Sequence, residues 1–150
     1  MKIPSKVVVA GVEIDIEIYN EPGFSCDNSQ SPLDGDFSGG FYRIRIFKKA
    51  LMLDETVPRT IEQRDVERTF FHEMWHCYNH ILCEDTKLNS ELYATTFSNV
   101  CNIKYVDKDV YAKSMRMALI EIRDLGLLAI SDIQAKRLLW IIDNTVFRWE

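Results

Sequence analysis

The stretch from Ile61 to Leu82 constrains this chain most, because its pattern fits a long helix with a buried face and a chemically marked one. Wrapped at about 100° per residue, Val66, Phe70, Met74, Cys77, Tyr78 and Ile81 form one apolar arc, which Phe71, Trp75 and Leu82 widen. Beside it falls a polar arc of Thr69, His72, Glu73, His76 and His80. Such a helix must be covered by other elements over most of its circumference, and its histidine stripe is left facing something specific. After Pro58, Thr60 with Gln63 three residues on makes a capping-box pattern, and Glu62 and Asp65 suit the positive helix end.

The covering elements can be read on either side of it. Val12, Ile14, Ile16 and Ile18 alternate with Glu13, Asp15 and Glu17, the period-two signature of a half-buried strand. Ala10-Gly11 interrupts the apolar run before it, which fits either a turn between two short strands or one bent strand. Residues 20 to 40, rich in Gly, Pro, Ser, Asn and Asp, read as a surface loop. Phe41 to Lys48 alternates again, and its basic residues complement the acidic face of the preceding strand, so the two could pair. Past the long helix, a second helix starts at Asn89-Ser90 and carries Leu92, Tyr93, Ala94, Phe97, Val100 and Cys101. A third runs from Asp107 to Leu125 and closes at Gly126, and a fourth runs from Ser131 to Trp149, with Ser131 and Gln134 as another capping box.

The expected class is therefore α+β: a small N-terminal antiparallel sheet of about three strands packed on the long helix and its successors. One domain is expected over residues 1–150, with a two-helix C-terminal extension from about residue 107. With 150 residues, 47% of them hydrophobic and 27% charged, the chain is large enough for a single core and is not a disordered sequence. A net charge of −5 without a basic stripe argues against nucleic acid as a partner. No apolar run approaches the ~20 residues of a bilayer span, so no membrane association is expected. Lys2, Pro4 and Lys6 break up the start before a secretory signal can form, which makes the cytoplasm the expected compartment. Cys26, Cys77, Cys83 and Cys101 contain no CxxC pair and are expected to be reduced thiols, with Trp75, Trp140 and Trp149 as packing or chain-end contacts.

His72-Glu73-Met74-Trp75-His76 is an HExxH motif on that helix. The i and i+4 spacing puts both imidazoles on one face, one turn apart, as two zinc ligands require. Glu73 lies about 100° round the helix from His72, beside the metal, where its carboxylate can take a proton from a metal-bound water. His80 is two turns from His72, a rise of about 12 Å, too far for both to reach one ion. It is read as a helix-end histidine favoured by the dipole, or as a donor to substrate. Asn79 and Leu82 stand where a metzincin motif has Gly and its third His. With no histidine beyond His80, a carboxylate, or failing that a cysteine, completes the set. Glu84, Asp85 and Glu91 are the near candidates. The first two fall at the end of the motif helix and fold back onto His72 with difficulty, whereas Glu91, on a helix running back alongside, is better placed.

His72-Glu73-x-x-His76 followed by Glu91-x-x-Ala94-x-x-Phe97-x-Asn99 resembles the ImmA/IrrE-type family of small zincin-like metallopeptidases, in particular its short phage and mobile-element members. The resemblance is specific over Thr69 to Asn99 and general for the strands before it. It implies a zincin-like fold, Zn²⁺ held by His72, His76 and Glu91, Glu73 as catalytic base, and the cytoplasm of a bacterial host. His80 also recurs in some members, eight residues after the first ligand. Two functions follow as expectations. One is a zinc-dependent peptidase acting on a peptide or protein substrate, with the strand from Phe41 to Phe47 offering an edge to an extended chain and Tyr78, Tyr93, Tyr105 or Tyr111 assisting at the oxyanion. The other is a catalytically silent zincin-like module that binds a protein through its C-terminal helices.

Overall fold

The computed structural model describes residues 3–19, 26–30, 42–47, 59–102 and 111–149. Strands β1 (Lys6–Val9), β2 (Val12–Tyr19), β3 (Cys26–Gln30), β4 (Tyr42–Phe47) and β5 (Thr145–Arg148) form one sheet in the order β3-β4-β2-β1-β5. The helices among the described residues are α1 (Arg59–Ile81), α2 (Glu91–Val100), α3 (Tyr111–Asp124) and α4 (Asp132–Asp143). The α+β class holds, but the sheet is mixed and wider than the three antiparallel strands expected.

Val9 pairs with Val12, so β1 and β2 make a hairpin and the bent-strand alternative falls away. Its two loop residues, Ala10 and Gly11, have φ of 48° and 84°. Positive φ at both centres marks a type I′ turn, whose twist matches that of the strands it joins. Next, β2 pairs with β4 as the charge pattern suggested, with Asp15 opposite Arg43 and Glu17 opposite Arg45, but the pairing is parallel. Alternating charges match equally well in either direction, so the pattern carries no information about polarity. The chain achieves this by running out through β3, antiparallel to β4, and returning between β3 and β2. Residues 26–30 of the expected surface loop are thus an edge strand. Conversely, β4 is flanked on both sides and is not the free edge expected of Phe41 to Phe47.

One face of the sheet is apolar: Val7, Val9, Ile14, Ile16, Ile44 and Ile46 are buried in the same cluster as the inner faces of all four helices. On the other face Lys6 lies 3.8 Å from Glu13 and 3.7 Å from Asp15. Such exposed pairs contribute ~0–1 kcal/mol each, against about 1.5–3 kcal/mol for each large aliphatic side chain fully buried, so the apolar face decides which side the helices cover.

Helix α1 is already under way at Arg59, so Thr60 lies inside it and is not its cap. The expected apolar arc is buried from Val66 to Tyr78. α3 closes as expected at Gly126 (φ 65°), where Leu127 N–H donates to the Ile122 carbonyl at 2.9 Å and Gly126 N–H to that of Arg123 at 3.0 Å, a Schellman ending. The Ser131–Gln134 capping box is formed. The fourth helix, however, stops at Asp143, and the residues expected to continue it to Trp149 form β5, antiparallel to β1. Thr145, Val146 and Phe147 are strand formers, and the open side of β1 offers them a ladder that includes Ala10 N–H to Asn144 carbonyl at 2.9 Å. The C-terminal third is accordingly no appendage. Its helices bury Tyr111, Met115, Leu119, Ile122, Leu138 and Ile141 in the common core, and the Tyr78 hydroxyl of α1 meets Thr145 Oγ1 at 3.0 Å. Trp149 stacks on Tyr111 with ring centroids 6.0 Å apart, whereas Trp140 is exposed and does not pack as expected. Cys77, Cys83 and Cys101 are free thiols. No described helix is long and apolar enough to cross a membrane.

Candidate metal centre

The centre is built from one helix, one turn and the start of the next helix. His72 and His76 project from the same face of α1 with ring centroids 5.0 Å apart, as their i and i+4 spacing demands. α1 then ends in a Schellman turn of its own: Glu84 N–H donates to the Asn79 carbonyl at 2.9 Å and Cys83 N–H to that of His80 at 3.0 Å. Cys83 occupies the left-handed position, φ 56°, where glycine is usual. Beyond it the chain is stapled back onto α1. Buried Trp75 donates Nε1–H to the Leu88 carbonyl at 2.8 Å, Leu88 is itself buried, and Asp85 Oδ1 accepts the Leu88 N–H at 2.8 Å. Ser90 caps α2 by accepting the Tyr93 N–H, which puts Glu91 at the first position of α2. Phe97, one of the resemblance positions, packs its ring 4.8 Å from that of Trp75 and locks α2 against α1.

Glu91 is thereby brought onto both imidazoles, with Oε2 at 2.8 Å from His72 Nε2 and Oε1 at 3.0 Å from His76 Nε2. The two rings are mostly covered while Glu91 is 78% exposed, so the centre opens to solvent on the α2 side. Glu73 lies beside it, buried, with Oε2 3.7 Å from His72 Nε2. His72, Glu73 and His76 each place a donor atom within 4.8 Å of one another, a grouping that can hold a metal ion. Three features fit such an ion. The contact from His76 Nε2 to Glu91 lacks hydrogen-bond alignment, and this buried nitrogen has no hydrogen-bond partner. The donor set of two imidazoles and a carboxylate is one that zinc takes in catalytic sites, and ligand atoms at about 2.0–2.1 Å in a tetrahedron stand about 3.3 Å apart, a few tenths of an ångström beyond the separations here. Finally, burial, and next to it the neighbouring His76, holds the His72 pKa below the ordinary histidine value, so its imidazole is neutral and able to ligate near pH 7.

The other candidates are engaged elsewhere. Glu84 turns away to Arg137 at 3.0 Å on α4, and Asp85 is used by Leu88. Cys77 is in the core and Cys83 on the surface. His80 lies outside the donor cluster, as its rise along the helix requires. Buried Tyr78 is bonded to Thr145, Tyr93 reaches the Ala129 carbonyl at 3.4 Å, and Tyr111 sits among Phe70, Phe71 and Phe147; Tyr105 lies outside the described residues. Two neighbours were not foreseen: Asn89 Oδ1, 2.8 Å from His76 Nδ1, and Thr95 Oγ1, 3.5 Å from His72 Nδ1. A signal for Asn89 was present, since Asn89 and Ser90 are both capping residue types and only one of them can cap a single helix. No protein-family model, curated protein or solved structure matches the chain.

Proposed function

We propose that the chain is a zinc-dependent peptidase of zincin-like type, akin to the ImmA/IrrE family, acting on a peptide or protein substrate. The observation that carries this reading is that one Glu91 oxygen meets His72 Nε2 and the other His76 Nε2, with a second, buried carboxylate alongside. His72, His76 and Glu91 would hold the ion. Zinc bound there supplies Lewis acidity, lowering the pKa of water and polarising a carbonyl. Glu73 is the base: its carboxylate accepts the proton of the attacking water and passes it to the leaving amine. Glu73 shares a donor cluster with His72 and His76, so its carboxylate would stand within reach of a water held there. The exposed α2 side, where Glu91 stands, is the approach for substrate.

The test is metal content and hydrolysis measured together, on an unfolded protein substrate. Wild type is expected to carry one zinc per chain and to cleave. Glu73→Gln is expected to keep the zinc and lose roughly 10²–10⁴ of the rate. Undiminished cleavage by Glu73→Gln would remove the base and the mechanism with it. Ile133 and Trp140, exposed two turns apart on α4, favour a second reading as a binding module; a wild type that holds zinc but cleaves nothing would leave that one standing.

A further inference from the structure

We infer that Asn89 is a positioning residue for this centre, its amide deciding which nitrogen of His76 is offered to the metal. The inference rests on the reading of the site as a metal centre. A neutral imidazole carries one proton, and only the other nitrogen has a lone pair to give. Asn89 Oδ1 accepts and cannot donate, and it stands 2.8 Å from His76 Nδ1. Once a metal ion takes the Nε2 lone pair, the proton sits on Nδ1, where Asn89 Oδ1 accepts it; without an ion, Glu91 Oε1 at 3.0 Å from Nε2 competes for that proton. Moving it to Nε2 would set two lone pairs against each other across the same 2.8 Å gap. Nε2 itself is buried, without a hydrogen bond and 3.0 Å from Glu91 Oε1.

His72 supplies an internal contrast. Its Nδ1 neighbour is the Thr95 hydroxyl at 3.5 Å, a group that both donates and accepts and imposes no tautomer at that distance. The grip on His76 is also mechanically supported. Asn89 N–H donates to the Asp85 carbonyl at 3.1 Å, and Leu88 before it is held by Trp75 and Asp85. Because Ser90 takes the capping duty, the Asn89 side chain is released for the ring. Asn89 and Glu91 thus address the two nitrogens of one imidazole from a single short segment. An outer partner of this kind fixes ring orientation as well as tautomer, and its loss typically weakens metal binding 10- to 100-fold.

The test uses the intact chain and two readouts. Zinc affinity, by competition with a chromophoric chelator, is expected to fall about 10- to 100-fold in Asn89→Ala and in Asn89→Leu. It is expected to be retained or raised in Asn89→Asp, which restores the acceptor. On the zinc-loaded protein, long-range ¹H–¹⁵N correlation of the imidazoles is expected to show His76 protonated at Nδ1, with that proton protected from solvent exchange in wild type and in Asn89→Asp and exchanging faster in Asn89→Leu. His72 should be unmoved. Wild-type His76 protonated at Nε2, or a zinc-binding wild type with Asn89→Ala equal to it, would overturn the role of Asn89 alone. A wild type that takes up no zinc at all would overturn the metal centre itself.

Discussion

Zinc should stabilise this fold, and Glu91 should decide by how much. His72, His76 and Glu91 come from two helices held together by the Trp75–Leu88 staple and the Ser90 cap, so the unfolded chain does not present them as a set. An ion that binds only the native state adds RT ln(1 + [L]/Kd), about 2.7 kcal/mol at a hundred times Kd. For a chain of 150 residues each kcal/mol moves Tm by about 2–4 °C, so the expected rise over chelator-treated protein is about 5–11 °C. Glu91→Ala leaves the imidazole pair with only Glu73, 3.7 Å from His72. If that weakens binding about 100-fold, the same zinc concentration is only about equal to Kd and adds roughly 0.4 kcal/mol, a shift of under about 2 °C. Without metal the substitution itself should cost little. Glu91 is 78% exposed, and its contributions as a surface ion pair and at the helix start are about 0–1 and 0.3–1 kcal/mol. Thermal unfolding of both proteins with chelator and with zinc gives all four numbers. A full zinc shift in Glu91→Ala would refute Glu91 as a ligand, and a metal-free loss above about 3 kcal/mol, beyond those two terms together, would make it a structural residue instead.

Cys83→Gly should stabilise the metal-free protein. Its φ of 56° costs an L-residue roughly 1–2 kcal/mol that glycine does not incur, and the greater freedom of unfolded glycine returns about 0.5–1 of that; a gain of up to about 1.5 kcal/mol in urea unfolding is expected, and a loss would show that the thiol makes a compensating contact. The pH dependence follows from His72 and His80, both held below the ordinary histidine value chiefly by burial. Native imidazoles with lowered pKa refuse protons that the unfolded chain accepts, so the stability of the metal-free protein should be flat above about pH 6.5 and fall as the pH drops below it. Chelator-treated urea titrations at stepped pH check this, and a stability that rises on acidification through that window would contradict the burial of both rings.

Much of the helical half was legible because its determinants are close in sequence. The stripe on α1, the Ser131 capping box and the glycine ending of α3 are each complete within one or two turns, and all three form as read. The sheet was legible only where its signal is local. Alternation identified β2 and β4, and charge identified them as partners, yet neither encodes strand direction. β3 has the composition Cys-Asp-Asn-Ser-Gln, with none of the β-branched or aromatic residues that favour strands, and it is a strand through the ladder that β4 supplies. β5 was hidden for a different reason. Phe147 and Trp149 continue a plausible helical spacing from α4, and only the waiting edge of β1, more than 130 residues earlier, decides for strand.

The same distinction explains why the site could be read further than the fold around it. The His72–Glu91 contact spans 19 residues and the His76–Asn89 contact 13, all within one helix–turn–helix unit. Within that unit the turn decides which of Glu84, Asp85 and Glu91 lies beside the imidazoles. The Schellman ending at Cys83 sends Glu84 away from the imidazoles to Arg137, Asp85 is consumed in holding Leu88, and the first acid beyond the cap is the one delivered to the imidazoles. A helix ending one residue earlier or later would rotate the following segment and change which side chain arrives. The centre therefore depends on where α1 stops as much as on the residues it carries, and Cys83, with no chemical part in the site, helps determine that Glu91 is the acid that meets His72 and His76.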